Sequence, residues 1–258
     1  MAATRASEND IRTLAVRAVT QARSGNRVLA AALLDQAVSV AAGCPRTLSR
    51  LGHIFIEQES LGPALAAFDA ALAAGPESFD ALMGKAALLS RCGDEAAAER
   101  LTERAARLAP VRGGEGAAPH VDAIACARCL RSSRYRIVRN RRSGMRATYK
   151  GGHFALKGFF EGDAPSMATM NLGYGDKALS LPGSPALLIN TIACADAARQ
   201  SLTALAAYVR GRPHMPVVNR PDDVLATTRD ANFRRAPTGD VRFARTVRLS
   251  VSAPPDAV

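Results

Sequence analysis

Tryptophan is missing from the 258 residues and aromatic residues make up only 5%. The core must therefore rest on alanine, leucine and valine, and the 48% hydrophobic content is enough for a sizeable one. Acidic residues are also scarce, 23 against 34 lysines and arginines, a formal charge of +11. That imbalance invites an anionic partner such as nucleic acid, phosphate or an acidic surface, although arginine-rich composition accounts for part of it. Five cysteines, odd in number and scattered, exclude a disulfide framework and fit a reducing cytoplasm, the compartment expected. Neither an 18-residue apolar run nor an amino-terminal apolar segment of the secretory type is present, so no membrane association is expected.

What is present first is a repeat. At a 34-residue period the chain aligns in three registers beginning at Ile11, Pro45 and Phe79. Small residues recur at matching places: Ala18, Gly52 and Ala86; Ala30, Ala64 and Ala98; Ala37, Ala71 and Ala105. Gly25 and Gly93 mark turns, and Pro76 and Pro110 stand where a second helix would stop. Small residues are needed where two helices of a hairpin cross closely, with a larger apolar residue beside them. Three copies are the fewest that bury a continuous seam, with degenerate ends. Arg17 and Gln21 in the first copy, and Lys85 and Thr102 in the third, fit such degeneracy.

The middle copy, "PRTLSRLGHIFIEQESLGPALAAFDAALAAGPES", resembles the tetratricopeptide repeat family. The resemblance implies a concave surface that holds a peptide or a protein partner. Arg50, Lys85 and Arg91 are the residues expected to clamp an acidic tail there, while a structural spacer or dimerisation arm is the plainer alternative.

"PVRGGEGAAPH" (110–120) lacks periodicity and is read as a linker over 111–120. Residues 121–131 read as a short Ala-rich helix. "RYRIVRN" and "MRATYK" then alternate apolar and basic residues across "RRSG", which predicts a β-hairpin. Tyr135, Ile137, Met145, Ala147 and Tyr149 are its apolar contacts. Arg134, Arg136, Arg146 and Lys150 are the candidate anion-binding residues. Nine basic and no acidic residues lie between Arg128 and Lys150. RNA binding is the weaker expectation here, because neither an RNP-like nor a Gly-x-x-Gly motif is present. Cys126 and Cys129 form a Cys-x-x-Cys without two further ligands at zinc-site spacing, so buried small hydrophobes are the better reading.

From residue 184 the pattern becomes strand–helix–strand. "PALLINTIA" reads as a buried parallel strand, and Leu202, Leu205, Ala206 and Val209, with Ala197, share one face of a helix. "MPVVN" is the next strand and "DDVLATTRDANFRRA" the next helix, a right-handed β-α-β unit with Asn190 and Asn219 at its carboxyl edge. Residues 171–179, "NLGYGDKAL", fit no phosphate-loop pattern and read as a turn, and His153 reads as structural. Ser201, His214 and Asp222 lack the context of a hydrolase triad.

The stretch from "LLINTIACADAARQ" to "VVNRPDDVLATTRD" and on to "VRFARTVRL" resembles the pre-ATP-grasp portion of ATP-grasp carboxylate–amine ligases. In that group a small α/β domain ends in a strand followed by Asn-x-Pro, here Asn219 to Pro221. The resemblance implies that phosphate-holding lysines, a glycine loop and magnesium ligands follow, and "SVSAPPDAV" after residue 249 supplies none. No catalytic residue, metal or cofactor is therefore expected.

The expectation is an α + α/β protein. An all-α tetratricopeptide-like array over 1–110 (copies near 11–44, 45–78 and 79–110) precedes a basic helix and hairpin over 121–180. A pre-ATP-grasp-like α/β module over 181–250 and a disordered tail over 251–258 follow. The expected function is a non-catalytic interaction scaffold, whether a truncated family member or not. The alternatives are the substrate-recruiting front of a carboxylate–amine ligase and, more weakly, RNA binding through 128–150.

Overall fold

The computed structural model describes residues 8–41, 43–112, 124–140, 144–154, 167–174, 185–228 and 231. The chain is an α plus α/β mix: a helical run, then strands in two sheets with later helices. The run comprises α1 (Glu8–Arg23), α2 (Arg27–Ala41), α3 (Pro45–Glu57), α4 (Leu61–Ala74), α5 (Phe79–Arg91) and α6 (Glu95–Leu108). They pair as α1 with α2, α3 with α4 and α5 with α6, while α1, α3 and α5 lie side by side. The second helices begin at Arg27, Leu61 and Glu95, at 34-residue intervals.

Local chemistry explains these boundaries. Pro45 opens α3, where its missing N–H costs nothing. The Ser78 hydroxyl and Asp94 carboxylate accept hydrogen bonds from Ala81 N and Ala97 N at the starts of α5 and α6. Gly25 and Gly93 turn between paired helices at φ 85° and 90°, and the middle pair places Glu59 there at φ 62°. All nine small residues singled out by the repeat are buried. Phe68 fills the space between Gly52 of α3 and Gly84 of α5.

The second part is a five-stranded sheet in the order β1-β5-β2-β6-β7. Its strands are β1 (Val111–Arg112), β2 (Ile124–Cys129), β5 (Met167–Leu172), β6 (Leu187–Asn190) and β7 (Val217–Val218). β1 runs antiparallel to β5, and the other pairings are parallel. Helices α7 (Arg199–Arg210) and α8 (Pro221–Leu225) pack Leu202, Leu205, Val209 and Val224 against Leu188, Met170 and Ala127. A separate hairpin, β3 (Arg134–Asn140) with β4 (Gly144–Lys150), has the expected register, Tyr135 opposite Tyr149 and Ile137 opposite Ala147.

Four expectations need correction. Residues 124–129 are a strand, not part of a helix. β2 is the central strand, paired on both sides by β5 and β6, and this pairing overrides the helical preference of its alanines. Val111 and Arg112 are not linker, because they pair with Met170 and Thr169 and bring the end of α6 directly onto the sheet. Asn171 and Leu172 complete β5 rather than a turn. Ala197, placed on the buried face of α7, precedes that helix and is exposed. Strands β2 and β5, from the 121–180 stretch, share the sheet with β6 and β7 of the 181–250 stretch. The remainder of the linker, the helix beyond residue 228 apart from Ala231, the rest of the α/β module up to residue 250 and the 251–258 tail lie outside the described residues.

Candidate functional site

The β3–β4 hairpin leaves the carboxyl end of β2 and lies across the inner helix layer, β3 against α5 and β4 against α3. Its inward residues Ile137 and Met145 join the core formed by Leu51, Phe55 and Phe68, with Tyr135 and Ala147 packed at the margin. The Tyr135 and Tyr149 rings pack together at 4.7 Å between centres, tilted by 50°. Burial raises the pKa of both phenols, so both stay neutral. The hairpin thus covers part of the inner helix layer.

Beside the hairpin lies a cleft of roughly 1090 Å³, bounded by α1, α3, the turn between α4 and α5, and Arg112 of β1. That is at the upper end of the volume range of ligand clefts. Four arginines reach it from three elements: Arg12, Arg46, Arg50 and Arg112. Arg12 pairs with Glu57 at 2.9 Å. Arg112 grips both carboxylate oxygens of Asp80, at 3.0 and 3.2 Å, with its guanidinium 4.1 Å above the Phe79 ring. These contacts hold Arg12 and Arg112 in place at the wall. Arg46 and Arg50 stand one turn apart on α3, both exposed. Glu57, Glu77 and Asp80 are the acidic lining residues, so cations outnumber carboxylates.

His53 stands at the boundary between cleft and hairpin. Its ring meets Phe68 edge-on at 5.2 Å and Tyr135 at 6.4 Å. Burial lowers its pKa and Arg50 adds to the effect, while Asp80 and Glu57 oppose it. A neutral imidazole is thus kept beside the arginines, able to donate or accept a hydrogen bond.

The three residues expected to clamp a tail do not come together. Arg50 lines the cleft. Lys85 instead pairs with Asp69 of α4 at 2.6 Å, and Arg91 is exposed in the last turn of α5. Sequence reasoning missed Arg12, Arg46 and Arg112. The first two were visible as charged residues on amphipathic helices, but Arg112 reaches the cleft only because β1 pairs with β5.

At the carboxyl edge of the sheet, Asn190 and Asn219 hold each other. Asn190 Nδ2 donates to Asn219 O at 3.0 Å and Asn219 Nδ2 to Asn190 O at 2.9 Å. Asn190 Oδ1 accepts from Ile192 N at 3.0 Å. Arg128 is equally committed, donating from Nε to Asn171 Oδ1 at 2.9 Å while its guanidinium stacks 4.1 Å from the Tyr149 ring centre. Asn171 Nδ2 in turn donates to Ala109 O, tying the sheet to the end of α6. His153 Nδ1 lies 2.7 Å from Gly151 O. These polar groups are hydrogen-bonded to one another and to the backbone.

Cys126 and Cys129 are buried in β2, and burial raises the Cys126 pKa against the opposing influence of Arg128 and the Thr191 hydrogen bond. No group of three or more His, Cys, Asp or Glu among the described residues is placed to hold a metal ion. Among those residues no helix is long and apolar enough to cross a membrane. No family model matches the chain, and no curated protein matches it.

Proposed function

We propose that this chain is a protein-interaction module of the tetratricopeptide-repeat kind whose cleft captures an acidic peptide segment. The observation that carries this reading is the cleft itself, left open beside the hairpin and lined by Arg12, Arg46, Arg50 and Arg112. Guanidinium forks match carboxylates in geometry, and a concave, partly apolar wall with few convergent charges favours an extended peptide. Arg46 and Arg50, exposed on α3 and lining the cleft, are the arginines whose reversal tests the recognition.

The test is fluorescence anisotropy with a labelled acidic octapeptide and its glutamine counterpart. Arg46→Glu with Arg50→Glu is expected to weaken the acidic peptide at least tenfold, while Lys85→Ala leaves it unchanged. Equal binding of the two peptides, or no change in the double variant, would refute the reading.

A second reading has its own support. Four parallel strands with the first of them, β2, at the centre, and the Asn219-x-Pro221 exit from β7, suit the front portion of an ATP-grasp carboxylate–amine ligase. In that reading the cleft recruits substrate for catalytic machinery outside residues 1–258.

A further inference from the structure

The hairpin has two faces, and the pairing register assigns each residue to one of them. Arg134 stands opposite Lys150, Arg136 opposite Thr148 and Val138 opposite Arg146. Paired residues of an antiparallel ribbon project to the same side, and alternate residues to opposite sides. With Ile137 and Met145 buried against the helices, Arg134, Arg136, Arg146 and Lys150 all belong to the outward face. All four are exposed.

This grouping opposes folding. Like charges directly across a strand pair, as at Arg134 and Lys150, are destabilising. Glu95 at the start of α6 relieves part of the repulsion, touching Arg134 at 3.1 Å and Arg136 at 3.4 Å. One carboxylate between two guanidiniums leaves the face positive, with Arg146 and Lys150 extending it across β4.

We infer that the outward face of the β3–β4 ribbon is a docking surface for the phosphate backbone of duplex DNA, through Arg134, Arg136, Arg146 and Lys150. The chemistry selects this occupant. Arginine forks suit phosphate oxygens, and a two-stranded ribbon is of a size that the DNA major groove admits. Single-stranded nucleic acid needs aromatic platforms for its bases. The ribbon's two tyrosines, Tyr135 and Tyr149, pack against each other on the inward face and offer none. A membrane would need apolar residues at the surface, and the outward face carries only Val138 among its cations. Contact is therefore with the backbone and independent of base sequence.

The test uses the full chain and a fluorescein-labelled 20-base-pair duplex of arbitrary sequence, read by anisotropy across a salt series. Arg146→Glu with Lys150→Glu is expected to weaken binding at least tenfold and to lower the slope of log K against log salt by about two. Arg146→Lys with Lys150→Arg should bind as the parent does, and Arg146→Gln with Lys150→Gln should fall between. Arg46→Glu with Arg50→Glu, in the cleft, should leave duplex binding intact, which separates this surface from the peptide site. The inference is overturned if the charge-reversed variant, melting like the parent, binds the duplex unchanged. Affinity insensitive to salt would also overturn it, as would polyglutamate competing as well as unlabelled duplex at equal charge.

Discussion

The packing of Phe68 offers a quantitative check on the helical layer. The side chain is fully buried, and a Cβ built on Gly84 would sit 2.3 Å from its ring. A Cβ on Gly52 would sit 2.7 Å from the same ring, so the ring already occupies the space that any residue but glycine would need. The His53 ring stands edge-on beside it and limits its retreat. Alanine in mid-helix is intrinsically better than glycine by about 1 kcal/mol. Overpacking a well-filled core costs about 1–3 kcal/mol. At 2.3 Å the steric cost prevails, and Gly84→Ala should destabilise the chain by about 1–2 kcal/mol. The sign should reverse once the ring is removed. In a Phe68→Leu background, Gly84→Ala should be neutral or stabilising by up to about 1 kcal/mol, a coupling of about 2 kcal/mol. Urea denaturation followed by far-ultraviolet circular dichroism measures all four corners of this cycle. If Gly84→Ala stabilises the parent, or costs the same in both backgrounds, the packing argument is wrong.

Three further outcomes are expected. Asn190→Ala strands the buried Ile192 N–H and the Asn219 carbonyl, and should cost about 1–3 kcal/mol in the same assay. Asn219→Gly should be tolerated better than Asn219→Ala, because φ is 58° there. His53 gives a pH dependence of defined sign. Its folded pKa lies below the ordinary 6.5, so the unfolded chain binds more protons between the two values. Its contribution to stability is present above pH 6.5 and diminishes as pH falls below it. His53→Gln should flatten that part of the stability profile; an unchanged slope would mean that the burial of this ring does not govern it.

Much of the fold was legible because it is written in short-range periodicity. The small residues at 34-residue spacing had to be buried wherever paired helices cross, and all nine are. The alternation in Arg134–Asn140 and Gly144–Lys150 defined a hairpin with one wet face, since one residue of slippage would have exposed Ile137 and Met145. β2 was misread for a related reason. A strand buried on both faces carries no alternation, and its alanines and cysteines look helical until two partners 43 and 63 residues away pair with it.

The candidate sites divide in the same way. Periodicity alone placed Arg134, Arg136, Arg146 and Lys150 on one side of a ribbon, because strand geometry leaves no other arrangement. That the opposite side would settle on α3 and α5 depended on long-range apolar burial that no local pattern encodes. Arg50 could be suspected from its helix. Its neighbours Arg12 and Arg112 are brought to it by separate parts of the chain, and Lys85 is withdrawn from the cleft by Asp69. The sequence by itself determined the paired helices, through a 34-residue repeat, and the ribbon with its charged face, through strand alternation. The cleft and the interlocked Asn190 and Asn219 were decided by tertiary structure, since each exists only where distant segments meet.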